Sequence, residues 1–395
     1  MTTHERLILS IAAVLIISIA AVVLVKLPQM GTDRRDVKFD AGLPLQRNAV
    51  MNDIPVKKIQ HELSHTHPDA YSWPVKGVPV SKLPVETSEV RSAVEHAVQE
   101  TTPLADVIKV SLWAAWLAFV LFALHTRKHF TRVRTFAMLA VTVVFGLATG
   151  STLNPMEAAV KFFKWMEGLE GEPAERVVFF AVFLLMAVVG NKLICGWACY
   201  LGALQDFLWR ISPFKKIKRA KIPFAVTNTI RIVLHLAFFT LLFGWLFGIS
   251  GFVVYHQVNY FKVFNWDLAT FALYTLPVLF LASFLNYRPY CLFICPFGLY
   301  AWLVENLSIN RVRVREDKCI HCDACVKACP TTAMKGRMHS GRRFFLPDCW
   351  ACGACVDACP TDAVVFGPRE EGAVTAMPPE LGLRDEAQDA ASTAD

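Results

Sequence analysis

The sequence predicts a mainly α-helical protein, with a bundle of helices in a membrane and a small α+β domain near its C-terminal end. Three observations lead to this fold class. The chain of 395 residues is 54% hydrophobic and only 18% charged, which is more apolar than a typical soluble protein. Apolar runs long enough to cross a bilayer recur along it. Close to its end, one four-cysteine pattern occurs twice.

The first element is an apolar run from Leu7 to Val25. Its length of about 19 residues is enough for one bilayer crossing. A cleaved signal peptide would usually have a shorter apolar core, and no small-residue cleavage site follows this run. We therefore expect residues 1–26 to be an uncleaved membrane anchor.

Residues 27–106 are polar, lack cysteine and contain several prolines, so we expect a small, loosely structured segment outside the membrane. One pattern in it needs weighing. His61-Glu62-Leu63-Ser64-His65, followed by His67, contains the H-E-x-x-H spacing of zinc sites on helices. Prolines crowd this motif, and no domain of metalloprotease size surrounds it. A solvated polar stretch is favoured, with loose metal binding by His61, His65 and His67 as the alternative.

Residues 107–310 are predicted to form the membrane core, with two basic connections and two connections that carry little positive charge. Because basic connections stay in the cytoplasm, the pattern predicts six membrane helices with both termini cytoplasmic. It places residues 27–105 outside. The net charge of +7 therefore indicates topology, and no nucleic-acid partner is expected. The five apolar runs that follow the anchor are Val107–Leu124, Phe136–Gly150, Val177–Ile194, Ala225–Phe247 and Leu268–Leu285.

Within the connection 151–176, Asn154 and Pro155 predict the start of a short helix, with Asn154 as its cap. We expect this helix to lie at the membrane interface. His235 lies in the run Ala225–Phe247, which is the fifth apolar run when the anchor is counted. A buried ionisable residue within a membrane helix suggests a function. A haem is disfavoured there, since b-type haems usually need two axial ligands and no second histidine is clearly within a run.

The end of the chain carries eight cysteines in two copies of C-x2-C-x2-C-x3-C-P, the pattern that binds clusters in bacterial ferredoxins. Three closely spaced thiolates wrap a loop around one corner of a cubane, and the fourth comes from the other copy. The proline after each fourth cysteine disfavours zinc ribbons and disulfides. We predict a 2[4Fe-4S] domain at 311–366 and a disordered acidic tail at 367–395. The ligands are Cys319, Cys322, Cys325 and Cys359 for cluster 1, and Cys349, Cys352, Cys355 and Cys329 for cluster 2.

The other four of the twelve cysteines form two C-x3-C pairs, Cys195/Cys199 and Cys291/Cys295. Each pair follows an inward-going apolar run, so two runs plus a pair are repeated along the chain. Residues four apart share a helix face, so each pair can present two thiolates. Packing about a pseudo-two-fold axis would bring the pairs together at the cytoplasmic rim as one redox or metal site. A thiol–disulfide relay, separate sites shared with a partner, and buried structural cysteines are the alternatives.

These motifs resemble the membrane polyferredoxins typified by the NapH subunit of periplasmic nitrate reductase systems, the MauN protein and the membrane half of NosR. The resemblance covers about residues 107–366, and the segment Asn154-Pro155-Met156-Glu157 contributes to it. In this family a proline usually follows each C-x3-C pair. Pro296 fits that pattern, whereas Tyr200 departs from it. The resemblance implies electron transfer between membrane quinol and a periplasmic redox system.

Three functions would use such clusters. The first is an electron-transfer subunit, as in a quinol dehydrogenase complex, between the quinone pool and a periplasmic or membrane-associated redox partner. The second is an accessory protein that reduces a metal such as copper during enzyme assembly. The third is a redox-sensing regulator. No glycine-rich nucleotide fingerprint follows a predicted strand. We expect a multi-pass protein of the cytoplasmic (inner) membrane.

Overall fold

The chain divides into two compact units in the computed structural model, one of Val22–Ile108 and one of Met1–Ala21 with Lys109–Asp395. Each unit is described by itself. The described residues are 3–30, 37–52, 54, 56–74, 77–99, 103–126, 130–148, 154–167, 173–214, 221–244, 252–265, 270–340, 344–370 and 372–377.

The smaller unit has an apolar core of its own, although the sequence predicted a loosely structured segment. Apolar residues four apart on two of its helices face the same side, as Ile59 and Leu63 do on one and Val90 and Val94 on the other. These two stripes pack together, and Pro44, Pro68, Pro74, Pro79 and Pro84 lie outside the two helices. Its complete helices are α2 (Leu45–Met51), α3 (Val56–Ser64) and α4 (Thr87–Gln99).

The larger unit is built from apolar helices, and each of the six predicted runs is mostly helical over its described residues. Three helical stretches are long and apolar enough to cross a membrane: His4–Ala21, Val107–Thr126 and Phe224–Leu242. The other three, Arg134–Ala148, Val177–Gly190 and Tyr274–Leu285, are shorter. The helices are α1 (Thr3–Met30), α5 (Pro103–Thr126), α6 (Arg134–Val141), α7 (Pro155–Met166), α8 (Pro173–Gly190), α9 (Leu193–Trp197), α10 (Tyr200–Ile211), α11 (Phe224–Leu242), α12 (Val254–Gln257), α13 (Thr270–Leu285), α14 (Pro289–Phe293) and α15 (Pro296–Glu305).

Backbone breaks shorten two of these helices. After α8, Asn191 takes a left-handed conformation with φ of 60°, and after α13, Arg288 does so with φ of 50°. A right-handed helix cannot continue through such a residue. In each case a five-residue helix follows, and then a longer helix packs back among the apolar helices. Helix α10 packs beside α6 and α13. Helix α15 packs beside α7 and α8.

Two segments predicted as external connections pack onto these returning helices. Helix α7 begins as predicted, because the Asn154 side chain accepts a hydrogen bond of 3.1 Å from the Glu157 N–H. However, Phe163 of α7 stacks on Tyr300 of α15 at 5.7 Å. In the other connection, Phe264 contacts the Tyr200 ring at 4.7 Å. Aromatic burial thus holds both segments against the helices that follow the cysteine pairs.

The described residues of the C-terminal domain form a three-stranded antiparallel sheet and three short helices, in agreement with the α+β class predicted for it. Strand β1 (Arg311–Arg315) is central, with β2 (Val364–Gly367) on one side and β3 (Ala373–Val374) on the other. The predicted start of the disordered tail at residue 367 is therefore wrong. Residues 373 and 374 form strand β3, which pairs with an edge of β1 that would otherwise be open. Residues 378–395 lie outside the described residues. The helices are α16 (Ala324–Ala328), α17 (Ala333–His339) and α18 (Ala354–Asp357).

Candidate iron–sulfur and four-cysteine sites

The two ferredoxin loops have the same unusual backbone. In each copy, the residues two and four positions after the first cysteine adopt positive φ, which turns the chain tightly around the cysteines. Backbone N–H groups then face the sulfurs. Burial raises the pKa of Cys349 to about 12, and the Ala351 N–H opposes that rise. The His321 N–H does the same for Cys319. The four left-handed residues are His321 (53°), Asp323 (53°), Ala351 (48°) and Gly353 (79°).

One small cavity brings together four thiols from both copies. Its lining includes Cys329 from the first copy with Cys349, Cys352 and Cys355 from the second. These are the four residues that the sequence assigns to cluster 2, and four converging thiolates are the donor set of a [4Fe-4S] cluster. The assignment to a cluster remains a prediction.

The first three cysteines of the first copy are arranged around the fourth cysteine of the second. Burial raises the pKa of Cys325 to about 12, and the nearby Cys359 and Cys319 thiols add to the rise. None of the twelve cysteines, all of which are described, forms a disulfide. The grouping follows the crossed pattern expected from the doubled run.

The two ligand sets differ in their access to solvent. Cys322 is exposed, and Cys319 and Cys359 are partly exposed. In the other set, Cys349 and Cys355 are only 8% and 6% exposed. We call the group Cys319, Cys322, Cys325 and Cys359 the outer set and the group Cys329, Cys349, Cys352 and Cys355 the inner set.

Each C-x3-C pair straddles a helix break. The first cysteine lies in a five-residue helix, α9 or α14, and the second caps the start of α10 or α15. The prediction that both cysteines share one continuous helical turn is therefore wrong, because the chain bends between them. The bend is the same in both pairs. The Cys199 N–H bonds to the Ile194 carbonyl at 2.8 Å, and the Cys295 N–H bonds to the Tyr290 carbonyl at 3.0 Å.

The absence of proline after the first pair does not alter this local geometry. Tyr200 is the first residue of α10, as Pro296 is of α15, and its fully buried ring packs between the loop residues Phe261 and Phe264. Both second cysteines thus cap a helix N-terminus, where the helix dipole favours a thiolate.

Buried cations connect the two pairs. Arg288, three residues before Cys291, donates hydrogen bonds to the carbonyls of Cys195 and Gly196 in the other pair. Lys192, three residues before Cys195, donates to the carbonyl of Gly298, just after the second pair. Each repeat therefore holds the other in place.

The thiols of the two pairs are neighbours. Burial raises the pKa of Cys291 to about 12, and the adjacent Cys199 thiol contributes to the rise. The Gln205 side-chain amide also reaches Cys291, with 3.7 Å between Nε2 and Sγ. The structure thus brings together residues from both C-x3-C pairs in one buried place.

Several buried donors beside this place have no hydrogen-bond partner among the described residues. They are the Tyr290 hydroxyl, Nε and Nη1 of Arg231, and Nε of Arg288. A buried unsatisfied donor is costly unless a further group is bound. Glycine at position 298 leaves room for the Arg231 guanidinium, since a Cβ there would lie in tight contact, 3.3 Å from Nη1. Unpaired cationic donors beside cysteine thiols fit an anionic, thiolate-ligated group.

The histidines of the smaller unit do not converge on one point. His61 and His65 contact each other with ring centroids 5.1 Å apart, whereas His67 pairs with Glu89 at 2.8 Å and packs on Trp73. Among the described residues, no group of three or more His, Cys, Asp or Glu side chains is arranged to hold a single metal ion. His61 and His65 are exposed on the surface of this unit, and metal binding by the three histidines stays an untested alternative.

His235 is at the centre of an aromatic cluster. Its Nδ1 lies 3.2 Å from the Tyr255 hydroxyl, and its Nε2 contacts the Tyr300 hydroxyl. Phe163 and Phe239 pack on the ring. Because both ring nitrogens contact tyrosine hydroxyls, neither is presented to a haem iron. Sequence reasoning missed the part played by Tyr300, since no local pattern connects it with His235.

Comparisons with known proteins agree with this arrangement. A model of the 4Fe-4S dicluster domain matches residues 311–360. A model of a 4Fe-4S binding domain matches twice, at residues 174–219 and 268–313. The double match covers both C-x3-C pairs, each with the apolar helix before it. The chain is related to membrane iron–sulfur electron-transfer proteins. The resemblance predicted from the sequence is confirmed.

Curated relatives share moderate similarity with the chain. Putative electron transport protein YccM of Escherichia coli is 24% identical over 40% of this chain and 46% of its own length. Regulatory protein NosR of Stutzerimonas stutzeri is 22% identical over 80% of this chain and 46% of its own length. Protein NirI of Paracoccus denitrificans is 25% identical over 51% and 31%. The chain thus spans half or less of these relatives' lengths. No solved structure matches it.

The crossed ligand sets predict which cluster a single substitution damages. Cys329→Ser should remove the inner-set cluster, although Cys329 lies in sequence beside the outer-set cysteines. Cys359→Ser, the matched change in the second copy, should remove the outer-set cluster. Iron content should fall from about eight to about four per chain in each variant. EPR of the reduced proteins should lose a different signal in each. Loss of the same signal from both variants would contradict the crossed sets.

Proposed function

We propose that the protein passes electrons between the quinol pool of the cytoplasmic membrane and a periplasmic or membrane-associated redox partner, using two [4Fe-4S] clusters and a further redox site at the four C-x3-C cysteines. Bound clusters would supply one-electron transfer. The protein's own residues hold these sites next to one another, exclude water and provide the counter-charges.

One contact carries this proposal. The Arg134 guanidinium donates to the Gly196 carbonyl at 2.7 Å, within the first C-x3-C pair. The same guanidinium reaches the carbonyl of Cys352, an inner-set ligand, at 3.5 Å. A single rigid side chain thus joins the backbone of both redox sites. Because Arg134 is fully buried, no water layer separates them there.

The four-cysteine site also contacts the connection between α11 and α13. The Tyr290 ring, next to Cys291, packs on Tyr260 and Phe261 at 5.5 and 6.1 Å. The charge pattern of the sequence predicts this connection to be outside. A site touched by the ferredoxin domain and by an external connection would let electrons cross the membrane, which supports a partner on the periplasmic side.

A quinol headgroup needs a proton acceptor as well as an electron acceptor, because its oxidation releases two protons with two electrons. We propose that His235 takes up a proton through the tyrosine hydroxyls that contact both of its ring nitrogens. It lies within a long apolar helix, contacts Tyr255 and Tyr300, and Tyr300 is in the helix that Cys295 caps. Intramembrane ionisable groups commonly mark proton pathways.

A regulatory role is the second candidate, and it is favoured by the similarity to Regulatory protein NosR. Electron transfer would be part of such a role too. Nothing in the described residues favours the reduction of copper by an accessory protein.

The four-cysteine site predicts a selective loss of quinol-driven reduction. Cys→Ser at each of positions 195, 199, 291 and 295 should abolish cluster reduction by a quinol analogue. Reduction by dithionite, a small soluble donor, should keep its full EPR amplitude, because the ferredoxin ligands are unchanged. Stopped-flow absorbance would follow the quinol reaction. If changes at Cys195 and Cys199 leave quinol-driven reduction intact while changes at Cys291 and Cys295 abolish it, the two pairs act as separate sites.

The proposed role of His235 has its own test. His235→Gln can still hydrogen-bond to a tyrosine hydroxyl but cannot take up a proton at neutral pH. The quinol-driven rate should fall at least about a hundredfold, the lower end of the range for removing a general base. The dithionite reaction should not change. Equal quinol rates in the variant and the wild type would remove His235 from the pathway.

The six-helix topology predicts that reporter fusions after Pro84 and after Gly367 lie on opposite sides of the membrane, with the second in the cytoplasm. Alkaline phosphatase and fluorescent-protein activities would distinguish the two sides. The same activity at both positions would exclude the topology, since an odd number of helices must separate the two points.

A further inference from the structure

A buried carboxylate links the ferredoxin domain to the apolar helices. Asp348, the residue before Cys349, is 1% exposed. It forms ion pairs with Lys192, between α8 and α9, and with Arg231 of α11, whose Nη2 lies 2.7 Å from Oδ2. Lys192 and Arg231 are each 1% exposed as well. These three charges are removed from water together.

A second carboxylate is paired in the same manner. Asp206 of α10, fully buried, contacts Arg134 at 2.7 Å and Arg288 at 2.9 Å. Lys192 and Arg288 occupy equivalent positions, three residues before the first cysteine of their pairs. Each carboxylate therefore binds cations from both repeats, and Asp206 also pairs with Arg210 of its own helix.

The second repeat lacks its own copy of this carboxylate. Asp206 is eleven residues after Cys195, and the residue eleven after Cys291 is Trp302. The Trp302 indole N–H instead donates to the Leu346 carbonyl at 2.9 Å, two residues before Asp348. The ferredoxin domain thus supplies a carboxylate where the second repeat has none at the position equivalent to Asp206, since Glu305 of α15 pairs with Arg337 instead.

The same ferredoxin loop lies directly on the first C-x3-C pair. The Trp197 indole N–H donates to the Ala351 carbonyl at 2.8 Å. A Cβ on Gly196 would come within 2.1 Å of the Trp350 carbonyl oxygen, so the two backbones touch. Lys192 and Arg288 also lie over the Trp350 ring, at 5.1 and 5.6 Å from its centre.

Charge decides whether this contact is permanent or transient. If Asp348 were neutral with the loop in place, Lys192 and Arg231 would lose their shared buried counter-ion, and breaking a buried pair in this manner is strongly destabilising. Glu305 reinforces the contact, since it pairs with Arg337 of α17 at 3.1 Å. The domain is therefore fixed rather than free to swing.

We propose that Asp348 is the positioning residue that locks the ferredoxin domain onto the two C-x3-C pairs, by completing the second repeat with a carboxylate. The lock holds the inner set against the four-cysteine site and leaves the outer set facing solvent, where a soluble electron carrier can approach it. The statement that the lock serves electron transfer rests on the proposed function, whereas the docking of the domain by Asp348 does not.

The test compares two neutralising changes in the full-length, cluster-containing protein. Asp348→Asn keeps the side-chain shape and removes the charge, and Asp317→Asn makes the same change at an exposed position. Hydrogen–deuterium exchange would report the protection of amides in residues 346–352. We expect exchange there to become at least about tenfold faster in D348N and to stay at the wild-type rate in D317N. Wild-type protection in D348N would overturn the lock.

A second variant covers the case in which D348N does not assemble its clusters. Lys192→Gln removes one of the two cations and leaves Asp348 paired with Arg231. It should show exchange rates in residues 346–352 between those of the wild type and a fully released loop. Rates equal to the wild type would also overturn the proposal.

The rate of electron transfer distinguishes a positioning role of Asp348 from a general effect on stability. In D348N, the dithionite-reduced EPR amplitude should match the wild type, while quinol-driven reduction should slow at least about tenfold. A wild-type quinol rate in D348N, together with a loosened loop, would show that the lock does not serve electron transfer. If the wild-type protein itself does not respond to quinol, the proposed function fails, and the exchange rates alone still decide the lock.

Discussion

The burial of four cations beside the cysteines is the constraint on which the rest of the structure depends. Arg134, Lys192, Arg231 and Arg288 are each at most 1% exposed. Charges removed from water must find counter-ions or hydrogen-bond acceptors within reach. They find them across the repeat and across the domain boundary, which is why two sequence repeats and a ferredoxin domain form one packed assembly.

The balance of these charges is itself informative. The four cations face only two equally buried carboxylates, Asp206 and Asp348. Burial opposes ionisation of Asp206, yet Arg134, Arg288 and Arg210 hold its pKa below the usual range. Carboxylates alone therefore leave an excess of positive charge. Thiolates capping two helix N-termini, with a group bound between them, would neutralise that excess.

The sequence predicted the features that depend on local spacing. The crossed ferredoxin pattern, the duplicated pairs and the Asn154 cap are each encoded within a few residues. It did not predict the Asp348 ion pairs, whose partners lie 156 residues away in the case of Lys192. The packing of α7 and the Tyr255 segment onto returning helices was missed too, because charge counting gives the side of a connection but not its depth. The helix break inside each pair was hidden by an apparently regular four-residue spacing.

The burial of the inner set has a consequence for biogenesis. Cys329, Cys349 and Cys355 lie under the contact with the membrane helices, each at most 8% exposed. An assembly protein that delivers iron and sulfide would reach these three cysteines more readily before the domain docks. Such an order would fill the inner set while the C-terminal domain is still separate. The chain places that domain after all six apolar runs, so membrane insertion can be complete before the final docking step.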